Sequence, residues 1–196
     1  MKKSSIILIS VVAFIAILFM WGTSGYNSLV TLREDVNSQW ANVESQYQRR
    51  SDLIPNLVST VKGYATHESS TLEGVVAARA KATQVTIDPK NLTAEKLQEY
   101  QAAQGQVSSA LGKLLMITEN YPDLKANQNF LELQAQLEGT ENRISVERNR
   151  FNDVAKSYDV TIQRFPKSII ATLFGFEKKP YFEAEKGTEK APSVKF

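Results

Sequence analysis

Cysteine is absent from this 196-residue chain, histidine occurs once, and the net charge is only +2, from 23 basic and 21 acidic residues. Lack of cysteine excludes disulfides, thiolate metal sites, thiol nucleophiles and N-terminal lipoprotein modification, and it leaves the redox compartment open. A lone His67 has no second imidazole with which to hold a metal. Because charges of both signs are spread along the sequence, no field gathers phosphate backbones, and nucleic acid is not an expected partner. Also missing are a glycine-rich phosphate loop, a G-x-S-x-G elbow and a credible carboxylate pair. The 42% hydrophobic and 22% charged content is enough for one domain with a continuous core.

One long uncharged run is present. Ser4 to Trp21 carries no charge, and Ile6 to Trp21 is apolar apart from Ser10. That is about the length needed to cross the hydrocarbon core as a helix. Lys2, Lys3 and the terminal amine precede the run, whereas the twenty residues after it carry Arg33 against Glu34 and Asp35, with Glu44 nearby. The positive-inside bias places the N-terminus in the cytoplasm and the remainder outside it, and Trp21 suits the far interface. The competing reading is a cleaved secretory signal, with Thr23-Ser24-Gly25 as small residues at a cut site. Both readings export the chain after about residue 25.

Beyond the run, large side chains recur three and four residues apart at Leu29, Leu32, Val36, Trp40, Val43, Tyr47, Ile54, Leu57, Val61 and Tyr64, with Arg50 filling one gap. This is the seam of an amphipathic helix packed against others. Pro55 interrupts it, and the unbroken register on either side favours a kinked helix over a turn at Ser51-Asp52. The signal fades near Gly63 to Ser70, where Ser70-Thr71-Leu72-Glu73 reads as a capping box for a second helix ending before Ile87-Asp88-Pro89. Thr93 caps a third, with Glu95 in its first turn and a seam of Leu97, Tyr100, Gln104, Val107, Leu111, Leu114, Thr118 and Tyr121, stopping at Tyr121-Pro122. A fourth, Leu124 to Phe165, repeats every seven residues at Phe130, Leu137, Ile144, Phe151, Tyr158 and Phe165. Glu141, Glu147 and Arg148 border that stripe and imply a polar layer or an exposed end. Ile169 to Phe176 is a short apolar patch suited either to capping the bundle or to touching the membrane surface.

The expected fold is therefore all-α: an N-terminal transmembrane anchor over residues 1–23, an elongated antiparallel, up-and-down four-helix bundle over 24–176, and a mobile, mixed-charge tail over 177–196. The first and fourth long helices, about 65 Å each at 1.5 Å per residue, are the expected antiparallel partners.

Several strings then resemble the LemA family: Tyr26-Asn27-x-Leu29-Val30, Trp40, Arg49-Arg50-x-Asp52-Leu53-Ile54-Pro55-Asn56-Leu57-Val58 and Val61-Lys62-Gly63-Tyr64-Ala65-x-His67-Glu68. Further along come Ala78-Arg79, Tyr121-Pro122-x-Leu124-Lys125-Ala126, Phe130, Glu141-Asn142-x-Ile144, Arg148, Phe151-Asn152, Tyr158, Phe165-Pro166 and Phe174-Gly175-Phe176. The match runs in order over roughly residues 20–183. Phe151 departs from it, since the family usually has Tyr there. The resemblance implies an N-terminally anchored bacterial protein with a four-helix bundle, no established enzymatic activity and no agreed ligand.

Candidate chemistry is sparse. His67-Glu68 adjoins an imidazole and a carboxylate, but neighbours at i and i+1 diverge on a helix and no further ligands converge, so a structural or capping role is expected. Arg49, Arg50 and Asp52 read either as a small anion site or, preferably, as a network reaching Glu141, Glu147 and Arg148. Asn56 and Asn152 fit as amides that fix register, and Tyr47, Tyr64, Tyr100, Tyr121 and Tyr158 as core rather than a ligand groove. No catalytic, cofactor-binding or metal residue is assigned. The expected function is a non-enzymatic interaction or scaffold module in the bacterial inner membrane, binding envelope proteins or copies of itself. The alternative is a lipid or small-molecule module using a groove between helices, and an enzyme reliant on His67 is the third reading.

Overall fold

A computed structural model describes residues 3–183; Met1 and Lys2, which enter the topology argument, and residues 184–196 of the expected tail lie outside the described residues. Among the described residues, six α-helices and one 3-10 turn account for the regular structure. The first, α1, runs unbroken for 60 residues, Lys3–Lys62, so anchor and rod are one helix. Its Ile7–Trp21 side chains are exposed, while from Leu29 to Val61 the three-and-four seam is buried apart from the half-buried Leu32, and Tyr64, in the turn beyond the helix, is exposed. Pro55 lies inside it. The backbone bond that proline removes costs about 3 kcal/mol, which burial of Ile54, Leu57 and Val61 at about 1.5–3 kcal/mol each offsets.

Residues 63–68 form the turn into α2, Ser69–Gln84. The expected capping box is not formed: Glu68 occupies the N-cap with no side-chain cap bond, and its carboxylate instead accepts the Tyr121 hydroxyl at 3.2 Å. The 3-10 turn at Pro89–Asn91 follows, flanked by Ile87 and Leu92, both buried in the core despite their place in a connection. Helix α3, Ala94–Thr118, begins as expected at Thr93, whose hydroxyl accepts the Lys96 N–H at 3.3 Å. A four-residue helix α4, Pro122–Lys125, then leads to α5, Gln128–Gln163. The long fourth helix therefore starts later than expected, because the Asn127 side chain caps it through the Phe130 N–H at 3.0 Å, an arrangement worth about 1 kcal/mol.

Helix α5 lies antiparallel to α1. Trp40 meets Phe151 and Arg50 meets Glu141, so ten residues up α1 correspond to ten down α5. Helix α3 runs with α1, pairing Tyr47 with Tyr100 and Arg50 with Gln104, and α2 packs against both. The heptad positions Phe130, Leu137, Ile144, Phe151 and Tyr158 are all buried. Phe165 is not: it is 81% exposed, because α5 ends at Gln163 and the chain turns out through Arg164 before Pro166. The apolar core forms two clusters, one from Leu29 to Tyr47 near the anchor and one from Ile54 to Val61 at the far end, each completed by α5 and α3 residues.

After α6, Lys167–Leu173, Gly175 takes φ 68°, a left-handed turn that a side chain would strain. It lets the Phe176 N–H reach the Ala171 carbonyl at 2.9 Å and reverses the chain. Residues 177–183, expected as the start of a mobile tail, are instead an extended strap packed on α5. Phe182 is only 6% exposed, stacked on Trp40 and edge-on to Phe151. Apolar and aromatic burial outweighs the mixed-charge composition of this stretch.

Candidate functional site

The two apolar clusters meet at a polar layer built on Arg50, which is 2% exposed. Its guanidinium donates to the Ser108 hydroxyl at 2.7 Å, the Glu141 carboxylate at 2.8 Å, the Gln104 side-chain oxygen at 2.7 Å and the Gln104 carbonyl at 3.1 Å. The Tyr47 ring lies 5.1 Å below it. One arginine thus ties α1 to α3 and α5 at a single height. Its planar fork with five donors suits several simultaneous acceptors in a way that lysine does not. A cavity of about 90 Å³ beside it is lined by Tyr47, Arg79, Tyr100 and Gln104 among others. Burial, ahead of the neighbouring charges, pushes the Tyr100 phenol well above its usual range, so it remains neutral there.

The structure separates the other residues of the expected network. Arg49 and Asp52 are exposed, and Asp52 accepts from Gln48 on its own helix at 2.7 Å. No helix begins at Ser51-Asp52, so no anion site forms there. Of the three α5 residues, only Glu141 bonds Arg50. Glu147 accepts from Gln39 at 2.6 Å and from Arg150. Arg148 turns to the strap, donating to the Glu183 carbonyl at 2.8 Å and lying over the Phe182 ring at 5.0 Å. Gln104 and Ser108 complete the layer from α3; sequence reasoning did not group them, though Gln104 already stood on a mostly apolar seam.

His67 is exposed in the turn before α2, and Glu68 faces Tyr121 rather than His67. Among the described residues no group of three or more His, Asp or Glu side chains converges as a metal site would require. Asn56 is exposed and fixes no register. Tyr47, Tyr100 and Tyr158 are core, Tyr121 is half-buried, and Tyr64 is exposed with its hydroxyl accepting from Asn127 at 2.9 Å.

Asn152 holds the strap, accepting the Phe182 N–H at 2.8 Å and donating to the Phe182 carbonyl at 2.9 Å. Asp159, 3% exposed, accepts the Lys179 N–H at 2.9 Å and the Tyr181 hydroxyl at 2.8 Å. Replacing Asn152 with alanine leaves two strap backbone groups unpaired, a loss of about 1–3 kcal/mol. Faster tryptic cleavage after Lys178 is the expected readout; an unchanged rate means that the amide does not hold the strap. Burial and the Asp159 bond push the Tyr181 phenol from 10.0 up to about 12. The unfolded phenol ionises first, so this contact's stability is complete below pH 10 and fades as pH rises towards about 12. An alkaline titration of strap release should show that loss, and Tyr181→Phe should remove this component.

The model of the LemA family matches residues 39–196. The chain belongs to the LemA family. Among its relatives is a protein named magnetosome protein MamQ 2 from Paramagnetospirillum magneticum, 30% identical over 95% of this chain and 73% of its own length. Magnetosome protein MamQ of Magnetospirillum gryphiswaldense is 29% identical over 97% and 74%. Protein LemA of Metamycoplasma hominis is 22% identical over 81% and 68%. None of these relatives is named as an enzyme. With one helix long and apolar enough to cross a membrane, this LemA-family chain is a membrane-anchored helical protein.

Proposed function

We propose that the protein is a non-enzymatic interaction or scaffold module: a bacterial inner-membrane anchor, N-terminus in the cytoplasm, that projects an up-and-down four-helix bundle outward to engage envelope proteins or copies of itself. The observation that carries this reading is the continuity of α1. Its apolar Ile7–Trp21 side chains are exposed, while the same helix beyond Leu29 is the central element of the packed core. A single 60-residue helix joins the anchor to the rod, which suits a protein that holds a surface at a set distance from the membrane. Among the described residues the interior is occupied by packing and by polar contacts that join helices or hold the strap. Protease added to the outer face of spheroplasts is expected to degrade the bundle and spare the anchor. Protection until the membrane is opened would place the bundle in the cytoplasm and overturn the topology.

A second reading, lipid or small-molecule binding, has one observation in its favour. An apolar cleft of about 480 Å³ opens between the end of α1 and α2, lined by Val58, Leu72, Val76, Ala77 and Ala80 among others. Saturable binding of an apolar probe abolished by Val76→Glu would support it over the scaffold reading.

A further inference from the structure

We propose that α6 and its flanks form a collar that seats in the outer lipid surface beside the point where α1 leaves the membrane. The collar would dock the base of the bundle onto lipid; this rests on the anchored reading above. Helix α6 has two faces. Ile170, Ala171 and the following Phe176 are buried against the bundle, whereas Phe165, Ile169, Leu173 and Phe174 are 81%, 56%, 75% and 57% exposed. Four large apolar side chains clustered within ten residues form a patch of the kind that marks a contact surface.

Its position on α1 selects lipid as the occupant. A Cβ added at Gly25 would lie 2.4 Å from the terminal methyl of Ile170, so α6 packs directly on α1 at this glycine and a side chain there would have to displace that methyl. Tyr26 meets Phe174 at 4.9 Å and Phe176 at 5.7 Å, and the Lys167 ammonium donates to the Ser28 hydroxyl at 2.8 Å. Gly25 lies four residues beyond Trp21, or about 6 Å up the helix axis. A hydrocarbon core of about 30 Å takes about 20 helical residues, and the uncharged run from Ser4 to Trp21 is about that long. The hydrocarbon boundary therefore falls at or just beyond Trp21, and the collar sits at the level of boundary and headgroups.

Charge agrees with this placement. Arg164 and Lys178 are exposed and Lys167 is half-buried, against Glu177 as the only acidic residue between 164 and 179. Apolar side chains ringed by basic ones are what an interfacial segment presents to anionic headgroups, with burial to a depth of about 5–10 Å.

Because the chain has no cysteine, single-cysteine variants of the full chain report depth directly. Phe14→Cys, Leu173→Cys and Val146→Cys would each carry an environment-sensitive fluorophore in phosphatidylcholine–phosphatidylglycerol vesicles. Lipids bearing a doxyl quencher near the headgroup or near the acyl terminus give the two readings. The expected result is loss of the Leu173→Cys signal with the shallow quencher, loss of the Phe14→Cys signal with the deep one, and no loss at Val146→Cys. Adding Ile169→Glu and Phe174→Glu should restore the Leu173→Cys signal. No quenching at 173 while 14 is quenched overturns the collar and leaves the anchor standing. A blue-shifted but unquenched label at 173 also overturns it, because a protein surface or second copy would then be the cover. No quenching at 14 overturns the anchor and the collar together.

Discussion

Replacing Arg50 with alanine is expected to destabilise the bundle by about 3 kcal/mol, the low end of the range for removing one partner of a buried pair. The low end applies because the Glu141 side chain is 41% exposed and can rehydrate once released. What cannot recover as easily is the Gln104 and Ser108 pair on α3, left with oxygens facing a void, together with the packing of the guanidinium over Tyr47. Arg50→Lys keeps the charge but not the fork, and should recover only part of the loss. Glu141→Gln keeps an acceptor and should cost about 1 kcal/mol or less. Denaturant unfolding of the full chain in detergent reads all three. An Arg50→Ala loss below about 0.5 kcal/mol, the level of an ordinary surface change, would mean that the layer does not hold the three helices. Since the layer separates two apolar clusters, its further role is register: sliding α5 along α1 would take Glu141 away and leave the buried Arg50 guanidinium without its carboxylate.

The other large effect is expected at Trp40, 1% exposed and surrounded by Tyr100, Phe151 and Phe182. Trp40→Ala is expected to cost about 3–5 kcal/mol, from lost burial and the cavity left behind. Its indole N–H has no hydrogen-bond partner, so no bond is lost in Trp40→Phe, which should cost well under half as much. The two variants also differ at a distance. Phe182 stacks on the indole, so Trp40→Ala should speed tryptic cleavage after Lys178 while Trp40→Phe should scarcely alter it. Equal losses from both variants would shift the importance of Trp40 from ring packing to its shape at one edge.

Much of this was legible in the sequence because helix packing leaves a periodic trace. The seams of α1, α3 and α5 and the Thr93 cap follow from side-chain spacing, and the Arg50 gap in the α1 seam marked the place where a polar layer sits. The LemA strings carry the family in the sequence itself. Other features leave no such trace. The strap has no period, so its mixed charge dominated the reading, although the adjacent Tyr181 and Phe182 were a sign of burial. Phe165 kept the seven-residue period one step beyond the helix that gave the period its meaning. Arg49 and Asp52 lie beside Arg50 in sequence but are exposed elsewhere on the helix, where adjacency carries no contact. Glu68 likewise adjoins His67 in sequence, but its partner, Tyr121, is remote in sequence.

The claim that this rod works through contacts made outside the membrane is tested most directly by photo-crosslinking in intact cells, from probes at Leu131 and Val146, both exposed on α5. A probe at buried Phe151 serves as the control. The account expects adducts of fixed mass from the exposed positions, containing a defined envelope protein or a second copy of the chain, and none from the buried one. A folded, correctly oriented protein that yields no protein adduct from either exposed position would contradict it.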